Sequence, residues 1–172
     1  PDNYQSQLDE KQQSITADFA EFELPAFEIF TSPTLNYRQR AEFRVWHEGD
    51  DLYYIMFDSD TKQKFRVDDF PVASELINQF MSALLADIKD KEVLRQRLFQ
   101  VDFLATLSGE VLVSLLYHKQ LDEQWLEQAK QLKARLSAIA PVDIIGRARK
   151  QKVILDKEYV METLTVGEKQ FH

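Results

Sequence analysis

The chain has 172 residues, of which 44% are hydrophobic, enough for the core of one domain or of one domain with an appendage. It contains no cysteine, which excludes disulfides, thiolate metal sites and a cysteine nucleophile among these residues, and no apolar run approaches the about 18 residues that cross a bilayer. The formal net charge of −8 argues against a protein that coats nucleic acid with its whole surface, and the chain start lacks a signal-peptide pattern, so we expect a cytoplasmic protein.

The acidic charge is concentrated at the start of the chain. Residues 1–31 carry a balance of −6, which leaves −2 for the remaining residues. Residues 2–20 are polar with few apolar positions and are predicted to form a surface helix. The segment that follows contains apolar side chains that we expect to attach it to the body of the protein, namely Phe22, Leu24, Phe27, Ile29 and Phe30.

An antiparallel meander is predicted next. Apolar and polar side chains alternate in three short stretches, and turn residues separate the stretches. A strand places successive side chains on opposite faces, so each stretch can bury one face and leave the other open. The predicted strands cover residues 38–48, 52–57 and 62–67.

The rest of the chain alternates between helices and strands. Ser74 is the expected N-cap of an amphipathic helix, and a short helical piece is expected around residues 91–97. A hairpin with a two-residue turn at Ser108-Gly109 follows. Asp122 is expected to cap a second amphipathic helix, which Pro141 ends. Further strands are predicted over residues 99–107, 110–118, 142–148 and 153–156, and weakly beyond residue 159.

These elements predict an α+β fold. Strands joined by hairpins form an antiparallel sheet, and the two main amphipathic helices pack against one of its faces. We expect two parts: residues 1–34 form the polar helix and a lead-in attached to the body, and residues 35–172 form the α+β domain.

The first predicted strand carries an unusual row of charge on its open face. One interpretation is a solvated surface with a cross-strand ion pair of little energetic value. The other is a platform for a phosphate backbone and a flat base. The side chains concerned are Arg40, Glu42, Arg44 and Trp46, and Arg38 precedes them.

A second basic cluster lies between two apolar strands late in the chain and consists of Arg147, Arg149, Lys150 and Lys152. A solvated hairpin tip and a phosphate-binding turn both agree with this pattern. If the turn contacts RNA, affinity falls with salt because each neutralised phosphate releases counterions. Gly146 would then let the backbone come close to the ligand.

Two single residues also have two interpretations each. Phe99 opens its predicted strand and is either a core residue or a ring that stacks on a base. His118 ends the hairpin and is either a hydrogen-bonded edge residue or a ligand. The other histidines, His47 and His172, show no metal-ligand spacing with it, so we expect no metal site.

The residues alone predict a binding module without its own chemistry. The sequence has no catalytic serine elbow, P-loop or dinucleotide-binding turn. One alternative is a protein-interaction module that uses the acidic N-terminal helix as its contact. Another is a small enzyme that relies on paired carboxylates, which need a pocket to perturb them.

Several blocks of residues, in order from about residue 30 onward, resemble the tRNA (uracil-5-)-methyltransferase family. The resemblance implies S-adenosylmethionine-dependent methylation of C5 of a uridine in the T-loop of tRNA, and of the similar loop of transfer-messenger RNA. The matching blocks are Ser32-Pro33, the arginine-bearing stretch from Tyr37 to Asp50, Phe70-Pro71, Ala73 to Asn78, Leu98-Phe99-Gln100, Val113 to Lys119, and Ile145 to Ala148 with Lys150 and Lys152.

The resemblance also implies that this chain is a fragment. The family's cysteine nucleophile, cofactor turn and general base belong to a C-terminal domain that this sequence does not contain, so no catalytic and no cofactor-binding residue is expected here. The implied part is a monomeric RNA-recognition module for the T-arm, inactive alone, in which Phe99 takes the place of the extruded uridine. The implied RNA contacts are Arg44, Phe99, His118 and Arg147, supported by Arg38, Arg40, Arg149, Lys150 and Lys152.

Overall fold

Seven strands of the chain form one sheet in the computed structural model, which describes residues 3–172; Pro1 and Asp2, the latter part of the predicted first helix, lie outside the described residues. A separate pair of short strands follows near the C-terminus. In chain order the elements are α1 (Tyr4–Asp18), β1 (Arg40–Glu48), β2 (Asp51–Phe57), β3 (Lys64–Val67), α2 (Glu75–Ile88), α3 (Glu92–Arg95), β4 (Leu98–Ala105), β5 (Val111–Tyr117), α4 (Glu123–Leu136), β6 (Val142–Ala148), β7 (Gln151–Ile154), β8 (Leu164–Val166) and β9 (Lys169–Phe171).

The order of strands in the large sheet is β3-β2-β1-β4-β5-β6-β7. All neighbours are antiparallel except β5 and β6, which are parallel. The α+β class is confirmed, but the purely antiparallel sheet needs this one correction. Helix α4 lies between β5 and β6 in the chain, and a connection of that length carries the chain back to start the next strand in the same direction.

Both main helices pack on the same face of the sheet. The Ser74 hydroxyl accepts a hydrogen bond from the Ile77 amide at 3.2 Å, and the Asp122 carboxylate accepts one from the Trp125 amide at 2.9 Å. These contacts confirm both predicted N-caps, because each satisfies an amide that the helix itself leaves without a partner. One core results, and its largest fully buried side chains include Trp125, Tyr54, Tyr117, Phe43, Phe80 and Phe103.

A bidentate ion pair joins the ends of the two main helices. The Arg135 guanidinium donates from Nε and from Nη2 to the Asp87 carboxylate, at 2.6 and 2.8 Å. Burial raises the pKa of Asp87, but the hydrogen bonds and charges of Arg135 and Lys91 outweigh it, so the pKa lies below its ordinary value of 3.8. A carboxyl with a lowered folded-state pKa stabilises the fold above its unfolded pKa and loses that effect as pH falls through the folded value.

We therefore expect Asp87→Asn to cost about 1–2 kcal/mol at neutral pH, because a charge-assisted pair between partly buried groups is lost. The difference from the wild type should shrink as pH falls below the ordinary carboxyl pKa and vanish below the lowered folded-state pKa, and urea unfolding at a series of pH values from about 7 to about 2 measures it. Asp90→Asn is the matched control, since the Asp90 side chain is 74% exposed and its pair with Lys91 should contribute little. A cost of Asp87→Asn that stayed constant with pH would contradict the ion-pair explanation.

The N-terminal helix and the lead-in differ from the expectation of an attached segment. Helix α1 has no buried residue, and Phe22 and Phe30 are 67% and 87% exposed. The Tyr4 hydroxyl accepts a hydrogen bond from the Ser32 amide at 2.9 Å, so the lead-in folds back along α1. The lead-in forms no helix or strand, and apolar content without a periodic pattern does not specify which face is buried.

Three local predictions also need correction. The hairpin between β4 and β5 has a longer connection than Ser108-Gly109, because the Thr106 hydroxyl accepts the Glu110 amide at 2.9 Å and closes a wider turn. The helical piece predicted over residues 91–97 is only α3. Strand β7 begins at Gln151, so Lys152 lies in a strand and the turn is only Arg149-Lys150.

Within residues 3–172, no helix combines the length and apolar character needed to cross a membrane.

Candidate nucleic-acid interface

The face of the sheet opposite the helices carries one residue from each strand in a continuous row. Arg44 of β1 pairs with Ile55 of β2 on one side and with Gln100 of β4 on the other. Gln100 pairs with Leu116 of β5, which lies beside Arg147 of β6. Paired residues point to the same face of a sheet, and Arg66 of β3 and Lys152 of β7 complete the row.

The register therefore brings the early and the late basic residues onto one surface. Neighbouring strands lie about 4.8 Å apart, so the backbones of Arg44 and Arg147, three strands apart, are separated by about 14 Å. Arg44 comes from the charged first strand and Arg147 from the late basic cluster. Both side chains are exposed, and both belong to the row defined above.

The basic residues of this face differ in whether a carboxylate neutralises them. Among residues 3–172, neither Arg44 nor Arg147 takes part in an ion pair. Lys152 pairs with Glu158 and Arg40 pairs with Glu42, while Arg66 pairs with Asp51 and Asp68. Two uncompensated guanidinium groups therefore remain for an anionic ligand.

Phe99 is brought to the same face by an irregularity in β4. Leu98 pairs with Tyr117 and Gln100 pairs with Leu116, so Phe99 is the extra residue of a β-bulge. A bulge bends its strand and redirects a side chain out of the regular alternation. Phe99 is half-buried, and its ring is directed towards Arg44 and His118 rather than into the core.

Arg44, Phe99 and His118 form a layered stack. The Phe99 and His118 rings are parallel within 13°, with centroids 3.8 Å apart. The Arg44 guanidinium carbon lies 5.5 Å from the centroid of the Phe99 ring, within the range of a cation–π contact. A flat apolar surface thus lies beside a free positive charge, which is the combination that single-stranded nucleic acid requires.

Two residues that sequence analysis did not single out hold this stack. The Leu98 carbonyl can only accept, so His47 Nε2 donates to it, at 2.7 Å. Arg97 has a left-handed backbone, with φ of 64°, and its carbonyl accepts the His118 amide at 2.9 Å. Such a backbone is uncommon outside glycine and fixes the entry into the bulge. No local pattern marks either role, because each depends on a distant strand.

Open depressions lie on both sides of the Phe99–His118 pair. One, of about 690 Å³, is lined by this pair with Leu116, Arg147 and Arg149 among others. The other, of about 780 Å³, extends towards His47 and Asp50. Both are open to solvent, so a ligand that covers both would contact the stack from two directions.

A second cross-strand row, made of Glu42, Asp102 and Ser114, lies on the same face next to the row that contains Arg44 and Arg147. Gln100 Nε2 donates to Asp102 Oδ1 at 2.7 Å. Burial raises the pKa of Asp102, and the nearby Glu42 charge adds to the rise, while Gln100, Arg40 and Arg147 act in the opposite direction. The face therefore offers positive charge along one row and hydrogen-bonding groups along the next.

Some of the residues that the sequence predicts to contact RNA lie outside the stack of Arg44, Phe99 and His118. The Arg38 guanidinium carbon lies 5.8 Å from the Phe70 ring centroid, and both residues line a separate depression with Arg40. Arg149 and Lys150 form the exposed turn after β6, and the Arg149 carbonyl accepts a hydrogen bond from Gln120 at 3.1 Å. Arg149 is next to the stack, whereas Lys150 has a left-handed backbone at the tip of the turn.

The expectation for Gly146 is wrong. A Cβ atom on Gly146 would lie 2.3 Å from Cη2 of Trp125 and 2.6 Å from Cδ1 of Leu121, on the helix side of the sheet. The missing side chain therefore makes room for the indole of α4 and not for a ligand. Glycine in a strand marks a close approach, but the sequence does not say from which side.

Comparisons with known proteins cover nearly the whole chain. The family model described as tRNA (Uracil-5-)-methyltransferase matches residues 3–172. A protein of Colwellia psychrerythraea named tRNA/tmRNA (uracil-C(5))-methyltransferase is 68% identical over 171 residues, which cover 99% of this chain and 47% of that protein.

Proteins with the same name from Shewanella frigidimarina and Vibrio parahaemolyticus are 59% and 60% identical to the chain. The matches cover 100% and 97% of this chain, and 47% and 46% of those proteins. The chain thus spans about half the length of the curated relatives it matches. The match of the family model over nearly every residue leads to one conclusion: this chain belongs to the tRNA (Uracil-5-)-methyltransferase family.

Proposed function

We propose that this chain is the RNA-recognition part of an S-adenosylmethionine-dependent tRNA (uracil-5-)-methyltransferase. Its open sheet face would hold the T-arm of tRNA, and the similar arm of transfer-messenger RNA, while the target uridine is presented for methylation at C5. The observation that carries the proposal is the stack of Arg44, Phe99 and His118, in which Arg44 belongs to the same cross-strand row as Arg147.

The charge and shape of these side chains suit the arginines to phosphate contacts and the rings to stacking. Arg44 and Arg147 have no carboxylate partner among the described residues, so they are suited to two phosphates of the loop. Phe99 and His118 provide a stacking surface between them. Removing a base from a stack costs a few kcal/mol, and a ring that takes its place recovers part of that cost.

The residues present do not fit the methyl donor. Three of the four glycines have positive φ and lie singly at turns, and Gly146 packs against Trp125. They form no glycine-rich turn, and the chain has no cysteine to act as a nucleophile. We propose that S-adenosylmethionine binding and catalysis belong to the half of the relatives' length that this chain does not match, so the chain alone is inactive.

The remaining features of the proposal concern organisation. Residues 35–172 would be the recognition domain, and residues 1–34 an appended helix and lead-in. The protein would act as a monomer in the cytoplasm, where its RNA substrates are. Arg38, Arg40, Arg149, Lys150 and Lys152 would add weaker contacts to the outer phosphates, since several of them already have partners.

Replacing the stacking ring tests the proposal. We expect Phe99→Leu to weaken binding of a T-arm hairpin by about 1–3 kcal/mol, because leucine keeps the apolar volume and lacks the flat ring. Fluorescence titration of a labelled hairpin measures the affinity. A 2-aminopurine next to the target uridine should brighten with the wild type, as its neighbour unstacks, and brighten less with the variant.

The control is Phe65→Leu, which changes an exposed phenylalanine on edge strand β3. It should leave the affinity unchanged. A second control is an RNA with the same stem and a four-nucleotide loop, which should bind less tightly than the T-arm. Equal affinity for the two RNAs, or equal effects of the two leucine variants, would count against the proposed site.

A further inference from the structure

Gln100 occupies the centre of the cross-strand row that contains Arg44 and Arg147. It lies directly opposite Arg44 on one side and Leu116 on the other, and it follows the bulged Phe99. Its side chain belongs to a half-buried residue on the open face. An amide with both a donor and an acceptor is thus placed beside a stacking ring and a free guanidinium.

The orientation of this amide is set by Asp102. An ionised carboxylate only accepts hydrogen bonds, so the amide nitrogen of Gln100 is the atom that faces it, at 2.7 Å. Asp102 lies opposite Glu42 of one neighbouring strand and Ser114 of the other. In the described part of the chain the Gln100 side chain makes no other hydrogen bond. Its carbonyl oxygen and its second N–H therefore remain available, with their order fixed.

We propose that Gln100 reads the edge of one unstacked nucleobase and that Asp102 is the positioning residue that holds the amide in its reading orientation. The inference rests on the proposed function and assigns its base specificity to one side chain. An oxygen acceptor beside an N–H donor complements any base edge that presents a donor beside an acceptor. Uracil offers such an edge with N3–H and O4 and guanine with N1–H and O6, while adenine and cytosine offer one with the amino N–H beside a ring nitrogen. The amide therefore selects the base that presents this pair in the order that the fixed orientation of Gln100 requires.

Phosphate and base contacts predict different patterns across a set of ligands. Loss of a phosphate contact weakens all sequences about equally, whereas loss of a base contact relaxes the preference at one position. The test therefore uses T-arm hairpins in which each loop base is changed in turn to the other three. Dissociation constants are measured for the wild type, Gln100→Met and Asp102→Asn.

We expect one loop position at which the wild type favours one base over the other three by about tenfold to a hundredfold. Gln100→Met should remove this preference, since methionine keeps the length of the side chain and lacks the amide. Asp102→Asn should reduce this preference although Gln100 is still present. The new amide can either donate to Gln100 or accept from it, so it no longer fixes which Gln100 atom faces the base. Ser114→Ala, beside Asp102, should leave the preference intact.

The controls separate this inference from the function it rests on. Arg147→Ala should weaken every hairpin by a similar factor and change no preference. If hairpins bind with salt dependence but Gln100→Met keeps every preference, the reading role of Gln100 is wrong and the proposed function stands. A wild type that binds every hairpin equally tightly, whichever base stands at each loop position, would overturn the reading role of Gln100. If the wild type binds no hairpin, both proposals fail. Thermal unfolding checks each variant, and Asp102→Asn decides alone if Gln100→Met does not fold.

Discussion

Replacing Arg44 and Arg147 together by alanine should reduce the affinity for a T-arm hairpin by about a hundredfold at moderate salt. Both guanidinium groups are exposed, lie in one row of the sheet and lack a carboxylate partner in residues 3–172. Each group that neutralises a phosphate also releases counterions. The slope of log affinity against log salt should therefore become shallower by about 1.4 to 1.8 for the two lost contacts.

Arg66→Ala is the matched control for this double variant. Arg66 lies in the same row, but its guanidinium contacts Asp68 at 2.7 Å and Asp51 at 3.4 Å. Because two carboxylates already neutralise it, its removal should change neither the affinity nor the salt slope by a comparable amount. An equal effect per removed charge in Arg66→Ala and in the double variant would show that net charge, and not the lack of a carboxylate partner, governs binding.

Gly146→Ala should destabilise the fold by about 3 kcal/mol, because the new methyl group would overlap the Trp125 ring at 2.3 Å. Trp125 is fully buried and cannot move outward without opening the contact between α4 and β6. For a chain of this length, a loss of that size lowers the unfolding temperature by about 6–12 °C. Calorimetry or circular dichroism measures the shift.

A double-mutant cycle identifies the cause of that loss. In a Trp125→Phe background the two Trp125 ring atoms that the methyl group would meet are absent, while Leu121 Cδ1 remains, so Gly146→Ala should cost at least about 1 kcal/mol less than in the wild type. Trp125→Phe alone should destabilise the protein because it leaves a cavity. An identical cost of Gly146→Ala in both backgrounds would show that Leu121 or the strand conformation, and not the indole, requires glycine at this position.

The existence and order of the elements were accessible from the sequence. The alternation in β1 and the three- and four-residue spacing in α2 are local patterns, and so are the caps at Ser74 and Asp122. Each depends on residues a few positions apart, where backbone geometry relates sequence spacing directly to a face. The same locality explains the errors at turns, since a turn such as Thr106–Glu110 is closed by side-chain hydrogen bonds that compete with the expected type.

The residue patterns and the resemblance to a known family supplied the candidate residues, but not their geometry. Arg44 and Arg147 are about a hundred positions apart, and only strand register places them in one row. The bulge at Phe99 is equally invisible in a single sequence, because it is a mismatch between two strands. Arg97 was predicted to lie in a helix, although its left-handed backbone marks the entry to the bulge.

By itself, the sequence determined which segments are helices and strands and which face of each is apolar, because those properties depend on neighbours within one or two turns of the chain. Only the tertiary structure decided which charges stay free and which side of Gly146 is crowded. Those outcomes depend on partners brought together by the sheet, such as Asp68 beside Arg66 or Trp125 beneath Gly146. A charge without such a partner is available to an anionic ligand without first breaking an ion pair.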